Sequence, residues 1–127
     1  MFKFERHFSL AEARALLPDL RRTFKIAQRL RKRAQQTEER LGKVLQTTGG
    51  DVGGEGVAAL LRDLTEVNAQ LTRLQDLGVV IKDLGRGLVD FPHLRDGREV
   101  FLCWELDEDD IEFWHDLETG YAGRERL

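Results

Sequence analysis

The chain is short of the residues that staple, break or anchor proteins. Its one cysteine, Cys103, excludes an internal disulfide framework and a zinc site of the multi-cysteine kind. Only Pro18 and Pro92 interrupt it, so long regular elements are permitted. Unbroken apolar runs reach no further than five residues, as in Val100–Trp104, far short of a membrane span. Glu5, Arg6, Glu12 and Arg14 leave no room for a secretory apolar segment near the start, and the expected location is the cytoplasm, with no membrane role.

What is present is a 14.6 kDa chain of 127 residues, 41% hydrophobic and 34% charged. That size fits a single domain, residues 1–127, able to bury about two thirds of its unfolded surface. The net charge of −3 conceals an asymmetry. Residues 1–46 hold twelve Lys/Arg against five Asp/Glu, whereas residues 47–127 hold eight against eighteen. From Glu105 to Glu118 there are eight acidic side chains and no Lys or Arg. Such a split suits either an anionic partner or two segments that attract each other within or between subunits, and the near-neutral total favours the second.

Hydrophobic spacing predicts the elements. Ser9 and Glu12 form a capping box opening a short helix, with a break or kink expected at Leu17-Pro18. A long helix is expected from Asp19 to about Gln46, completing a helical region over 9–46. Its apolar side chains, among them Leu20, Phe24, Ala27, Leu30 and Ala34, fall in an arc of about 120° at 100° per residue. Its basic residues, including Arg29, Lys32 and Arg33, fall in a separate arc of similar width. Thr47–Gly56 carries five glycines in ten residues and reads as a flexible connection. A second helix is expected over 55–77, with a heptad-like stripe through Val57, Leu60, Leu61, Leu64, Val67, Leu71 and Leu74 and a stop at Gly78. Together these make a long antiparallel helical hairpin with coiled-coil character. The stripes exceed what the hairpin and a small sheet can cover, so a homo-oligomer is expected, with the dimer favoured.

The period changes to two at Val79. A β-unit over 79–115 is expected, with strands at Val79–Asp83, Gly87–Phe91, Arg98–Leu106 and Ile111–His115. Pro92 is expected to end the second strand, Asp96-Gly97 to make a hairpin turn, and 116–127 to be irregular. Val100, Leu102 and Trp104 share one face of the third strand, and Phe101, Cys103 and Glu105 the other. The fold class is therefore α+β, a helical hairpin preceded by a short helix and followed by a small antiparallel sheet.

Several strings carry a resemblance. They are Lys82-Asp-Leu-x-x-Gly87-Leu-Val-Asp-Phe-Pro92, Gly97-Arg-x-Val-x-Leu-Cys-Trp104, Trp114-His115, Gly120 and Gly123-Arg124. Phe8-Ser-Leu-x-Glu-Ala-x-Ala-Leu-Leu-Pro18 adds to them. This pattern resembles the prokaryotic DUF2203 family, a domain of unknown function. The resemblance implies a grouping and no activity, cofactor or site.

Candidate chemistry gathers in the β-unit. Asp83, Asp90, Glu105 and His115 lie on predicted strands, with Arg98, Trp104, Trp114 and Arg124 near them in sequence. Asp90, Glu105 and His115 could run proton transfer or hold a divalent ion, but no metal-ligand spacing is present. Structural hydrogen bonding is the favoured reading, with Asp90 on turn amides and Arg98 on a neighbouring carboxylate. Two tryptophans near Arg98 or Arg124 would suit an aromatic or anionic small molecule, although Trp104, in register with Val100 and Leu102, reads as core. Cys103 beside Glu105 reads as inert, and Gly85-Arg-Gly87 is no phosphate loop. No metal and no cofactor is assigned. The first expectation is a non-enzymatic module that binds a small molecule or a protein through the eight β-unit residues just named. The second is a small metal-dependent or acid–base enzyme, and the third is nucleic-acid binding through Arg29, Lys32 and Arg33. The absence of interleaved aromatics and the acidic pI of about 5.6 disfavour nucleic acid.

Overall fold

A computed structural model describes residues 1–48 and 54–127. In chain order the elements are α1 (Leu10–Ala15), α2 (Leu17–Thr48), α3 (Gly54–Asp76), β1 (Val80–Asp83), β2 (Leu88–Arg95), β3 (Arg98–Glu105) and β4 (Phe113–Asp116). A 3₁₀ turn at Tyr121–Gly123 and β5 (Glu125–Arg126) complete them. The expected α+β class holds. The centre of the glycine-rich connection, residues 49–53, lies outside the described residues.

The capping box forms as its chemistry requires. The Glu12 amide donates to Ser9 Oγ at 3.0 Å, and the Ser9 amide donates to Glu12 Oε1 at 2.9 Å. The break between the first two helices falls at Leu16, not at Leu17-Pro18. Pro18 is the second residue of α2, within a first turn whose amides have no intrahelical acceptor, so its missing N–H costs nothing there.

Two packing zones divide α2, which at 32 residues is about 48 Å long. Its first part contributes Leu17, Leu20 and Phe24 to the main core, together with Phe8, Leu74 and the inner sheet residues Val89, Phe91, Val100, Leu102, Trp104 and Trp114. Further along, Ala27 and Leu30 meet Val67 of α3 in a smaller cluster. Two arginine–aspartate clasps fix the pairing of α2 with α3. Arg33 forks onto Asp63 at 2.8 and 2.5 Å. Arg73 grips Asp19 at 2.9 and 3.1 Å and also reaches Thr23 Oγ1 at 2.6 Å.

The sheet is an antiparallel meander in the order β1-β2-β3-β4-β5. Its β2–β3 turn has positive φ at both Asp96 (51°) and Gly97 (78°), the geometry of a two-residue hairpin. Arg95 therefore faces Arg98, and Asp90 faces Cys103. Three expectations are corrected here. Pro92 does not end its strand: β2 runs on to Arg95. The Phe8 amide donates to the Pro92 carbonyl at 2.7 Å, so the polar edge of Pro92 points away from β3 and its missing N–H removes no β2–β3 bond. The last predicted strand starts late, at Phe113, because Ile111 plugs the core just ahead of it. The tail is not irregular throughout, since β5 pairs with β4. Two residues are too few to show a period.

The acidic segment finds its cations within the chain. Arg14 pairs with Asp110 at 2.9 Å, and Arg21 donates to the Asp109 carbonyl at 2.6 Å.

The Asp19–Arg73 clasp makes a pH-dependent prediction. The hydrogen bond from Arg73 holds the Asp19 carboxyl below its ordinary 3.8, outweighing the opposing effect of burial. A carboxylate whose folded pKa is depressed stabilises the fold above its unfolded pKa and loses that contribution as acid titrates the folded group. Asp19→Asn is expected to cost about 1 kcal/mol at neutral pH and to flatten the decline of urea midpoint below about pH 4. Equal losses at pH 7 and pH 3 would contradict the assignment.

Candidate functional site

Strand alternation sends two sets of side chains to opposite faces of the sheet. Trp104 and Trp114 go to the inner face, where they are 0% and 8% exposed. Trp104 donates its indole N–H to the Glu108 carbonyl at 2.9 Å. Both indoles thus serve the core, as expected for Trp104, and make no open aromatic cleft together.

The outer face holds the polar cluster. Asp90 and Cys103 are register partners on β2 and β3, and His115 lies beyond them on β4, paired with Phe101. His115 Nε2 contacts Asp90 Oδ1 at 3.0 Å, while its Nδ1 lies 2.7 Å from the Asp116 carbonyl. A carbonyl can only accept, so Nδ1 carries a proton; a carboxylate at Nε2 then favours a second one. The ring accordingly reads as an imidazolium paired with a carboxylate. Burial presses the His115 pKa down, but the hydrogen bonds to Asp90 and to the Asp116 carbonyl outweigh it and the net direction is upward. Asp90, Cys103 and His115 are each 1% exposed.

Their cover comes from several elements. The Phe101 ring tilts against His115 at 5.4 Å, Phe4 packs edge-on against Phe101, and Lys82 Nζ sits 5.3 Å from the Phe101 centroid. Burial, and next the charge of Asp90, push the Cys103 thiol up to about 12. A thiol held this firmly protonated is no nucleophile near neutral pH.

The other sequence candidates separate from this centre. Glu105 shares the outer face but pairs with Arg86 at 3.0 Å and does not join Asp90 and His115. Arg124 donates to both carboxylate oxygens of Glu108 at 2.7 and 2.8 Å, and its guanidinium lies over Phe113 at 4.0 Å. Arg98 pairs with Asp116 at 2.9 Å, a carboxylate on the adjacent strand. Asp83 accepts the Arg86 amide at 3.1 Å and so takes the turn-capping part expected of Asp90. Of the basic-arc residues, Arg29 and Lys32 are exposed, while Arg33 is engaged by Asp63.

Cys103, read from sequence as inert, is a member of the cluster. The two-residue Asp96-Gly97 turn already implied this, because it fixes 95 against 98 and hence 90 against 103. Glu108 and Phe4 carried no comparable signal: each arrives through an irregular segment.

These elements define an α+β protein in which a helical hairpin is joined to a five-stranded meander with a buried Asp–His pair on its outer face. The chain belongs to the DUF2203 family, described as an uncharacterized conserved protein, whose profile matches residues 6–127. No curated protein and no solved structure gives a match. No helix among the described residues is long and apolar enough to cross a membrane.

The buried pair predicts a distinctive mutational pattern. Asp90→Ala leaves a buried imidazolium without its counter-charge and is expected to cost about 3–5 kcal/mol in urea denaturation. Replacing both partners with apolar residues, Asp90→Val with His115→Leu, is expected to cost less than that single change. Additive losses in the double variant would show that the two side chains do not act as a pair.

Proposed function

We propose that this protein is a non-enzymatic interaction module that works as a homodimer through its helical hairpin, with the β-unit as its rigid base. The observation that carries the reading is a row of apolar side chains on α3. Val57, Leu61 and Leu64 are 37%, 59% and 42% exposed, beside an open groove of about 540 Å³ lined by Leu30, Leu61 and the Arg33–Asp63 clasp, among others.

The spacing says what would cover them. Val57, Leu61, Leu64, Asn68 and Leu71 alternate steps of four and three, a coiled-coil seam that is exposed as far as Asn68 and ends on Leu71, half-buried against the Ala27–Leu30–Val67 cluster. Asn68 is exposed and takes a position of the a type, with Leu64 and Leu71 at d positions. A single polar residue at such a position favours a like helix in fixed register, because each amide finds its match on the other strand. Flanking Ala58, Thr65 and Thr72 carry no charge, which suits an apolar helix better than a polyanion. The occupant we infer is therefore α3 of a second copy, lying parallel, with Asn68 facing its counterpart. A β-unit docking face is less favourable, because Arg98, Glu105 and Arg124 are each engaged by a neighbour of opposite charge.

Sedimentation equilibrium tests this. The wild type is expected at twice the 14.6 kDa chain mass. Leu61→Glu with Leu64→Glu should give single chains with unchanged helical circular dichroism, and Asn68→Leu should alter the oligomer size without abolishing association. A wild-type mass of one chain at all concentrations, or a dimer that survives the double glutamate variant, would overturn the reading.

A further inference from the structure

We propose that Asp90, Cys103 and His115 form a three-ligand binding site for zinc or a chemically similar divalent ion. Each residue offers one ligand atom, a carboxylate oxygen, a sulfur and an imidazole nitrogen, and these atoms lie within 4.8 Å of one another. They come from three adjacent strands, β2, β3 and β4, so the backbone ladder already sets their spacing. Zinc bonds of about 2.0–2.3 Å in a tetrahedron require donors roughly 3.3–3.7 Å apart. Asp90 and His115 need open only slightly from 3.0 Å, and the sulfur need close by no more than about an ångström.

The surroundings match what a ligand histidine needs. His115 Nδ1 donates to the Asp116 carbonyl, which orients the ring and aims Nε2 into the cluster, the arrangement usual for metal-bound imidazole. Charge also balances. The metal-free cluster holds an imidazolium, a carboxylate and a thiol, with no net charge. Zinc displaces the Nε2 proton and the thiol proton to solvent, leaving a divalent cation, a carboxylate, a thiolate and a neutral imidazole, again with no net charge. No electron changes hands. Burial that forbids a bare thiolate does not forbid one bound to zinc.

A second observation points to the same spot. Arg124, whose side chain is only 10% exposed, keeps a buried Nε–H without an acceptor, and its charge acts on the Cys103 sulfur. A thiolate at Cys103 would be favoured by that charge. The cations acting on the cluster are Arg124 and Lys82; Glu108 offsets the first. Three protein ligands leave the fourth position of a tetrahedral ion to a water or a small anion.

The test uses the tag-free full chain, stripped with chelator and titrated with cobalt and then zinc. One equivalent of cobalt is expected to produce the visible bands of a tetrahedral ion and a near-ultraviolet thiolate-to-cobalt band, both displaced by zinc. Cys103→Ser should lose the near-ultraviolet band and bind zinc at least about 100-fold more weakly, with its tryptophan near-ultraviolet dichroism reporting whether it folds. Should that variant fail to fold, X-ray absorption at the zinc edge of the loaded wild type decides: one sulfur at about 2.3 Å is expected. No cobalt band in the wild type, a band that persists in Cys103→Ser, or a zinc shell of nitrogen and oxygen alone would each overturn the proposal. These readouts do not depend on whether the chain is a monomer or a dimer.

Discussion

The structure depends on one helix belonging to two packing layers. The first turns of α2 are sealed against the sheet by Leu17, Leu20 and Phe24, and its later turns are held to α3 through Ala27 and Leu30. Because the same hydrogen-bonded rod runs through both zones, the sheet and the far part of the hairpin share one orientation. The clasps at Asp19–Arg73 and Arg33–Asp63 bracket the small Ala27–Leu30–Val67 cluster and set the axial register there. Apolar burial supplies attraction without direction; the forked ion pairs supply the direction.

On the far side of the sheet a different logic holds. There the chain has placed carboxylate, thiol and imidazole where a purely structural sheet would carry apolar or wholly exposed residues. Such groups are costly to bury unless each finds a partner, and here they find one another: Asp90 holds His115, Glu105 holds Arg86, and Glu108 holds Arg124. The amino-terminal segment closes over the same face, with the amides of Lys3 and Phe4 donating to Glu99 at 2.8 and 2.9 Å and His7 meeting that carboxylate at 2.7 Å. Polar matching, not volume alone, defines this surface.

Much of the architecture could be read from the residues because it rests on local rules. The capping box, the 3.6-residue period of both long helices, the switch to a period of two at Val79 and the Asp96-Gly97 turn each act within a few residues. The inner face of β3, including Trp104, followed from simple alternation. What could not be read depends on contacts distant in sequence. Pro92 continues its strand only because Phe8 takes up the edge it exposes. Where β4 begins depends on how Ile111 fills the core, and β5 exists because β4 offers it an edge. The site was legible in part for the same reason. The sequence points to Asp90 and His115, but it also suggests Glu105, which lies close in the chain, and it offers only Glu105 as a neighbour by which to judge Cys103. Glu105 shares the face of Cys103, but the residue that decides the chemistry of the thiol is Asp90, across the ladder.

Both described ends of the sequence are tied to the sheet, the first by the contacts to Glu99 and Phe101 and the last through β5. The two long helices therefore form a closed excursion that leaves the β-unit and returns to it. Whole turns could be inserted into or removed from both arms together, moving the far ends of α2 and α3 by about 5.4 Å each time, with no strand displaced. Reach and base are separable in this design, so relatives of different length could keep an identical sheet while presenting their helices at different distances.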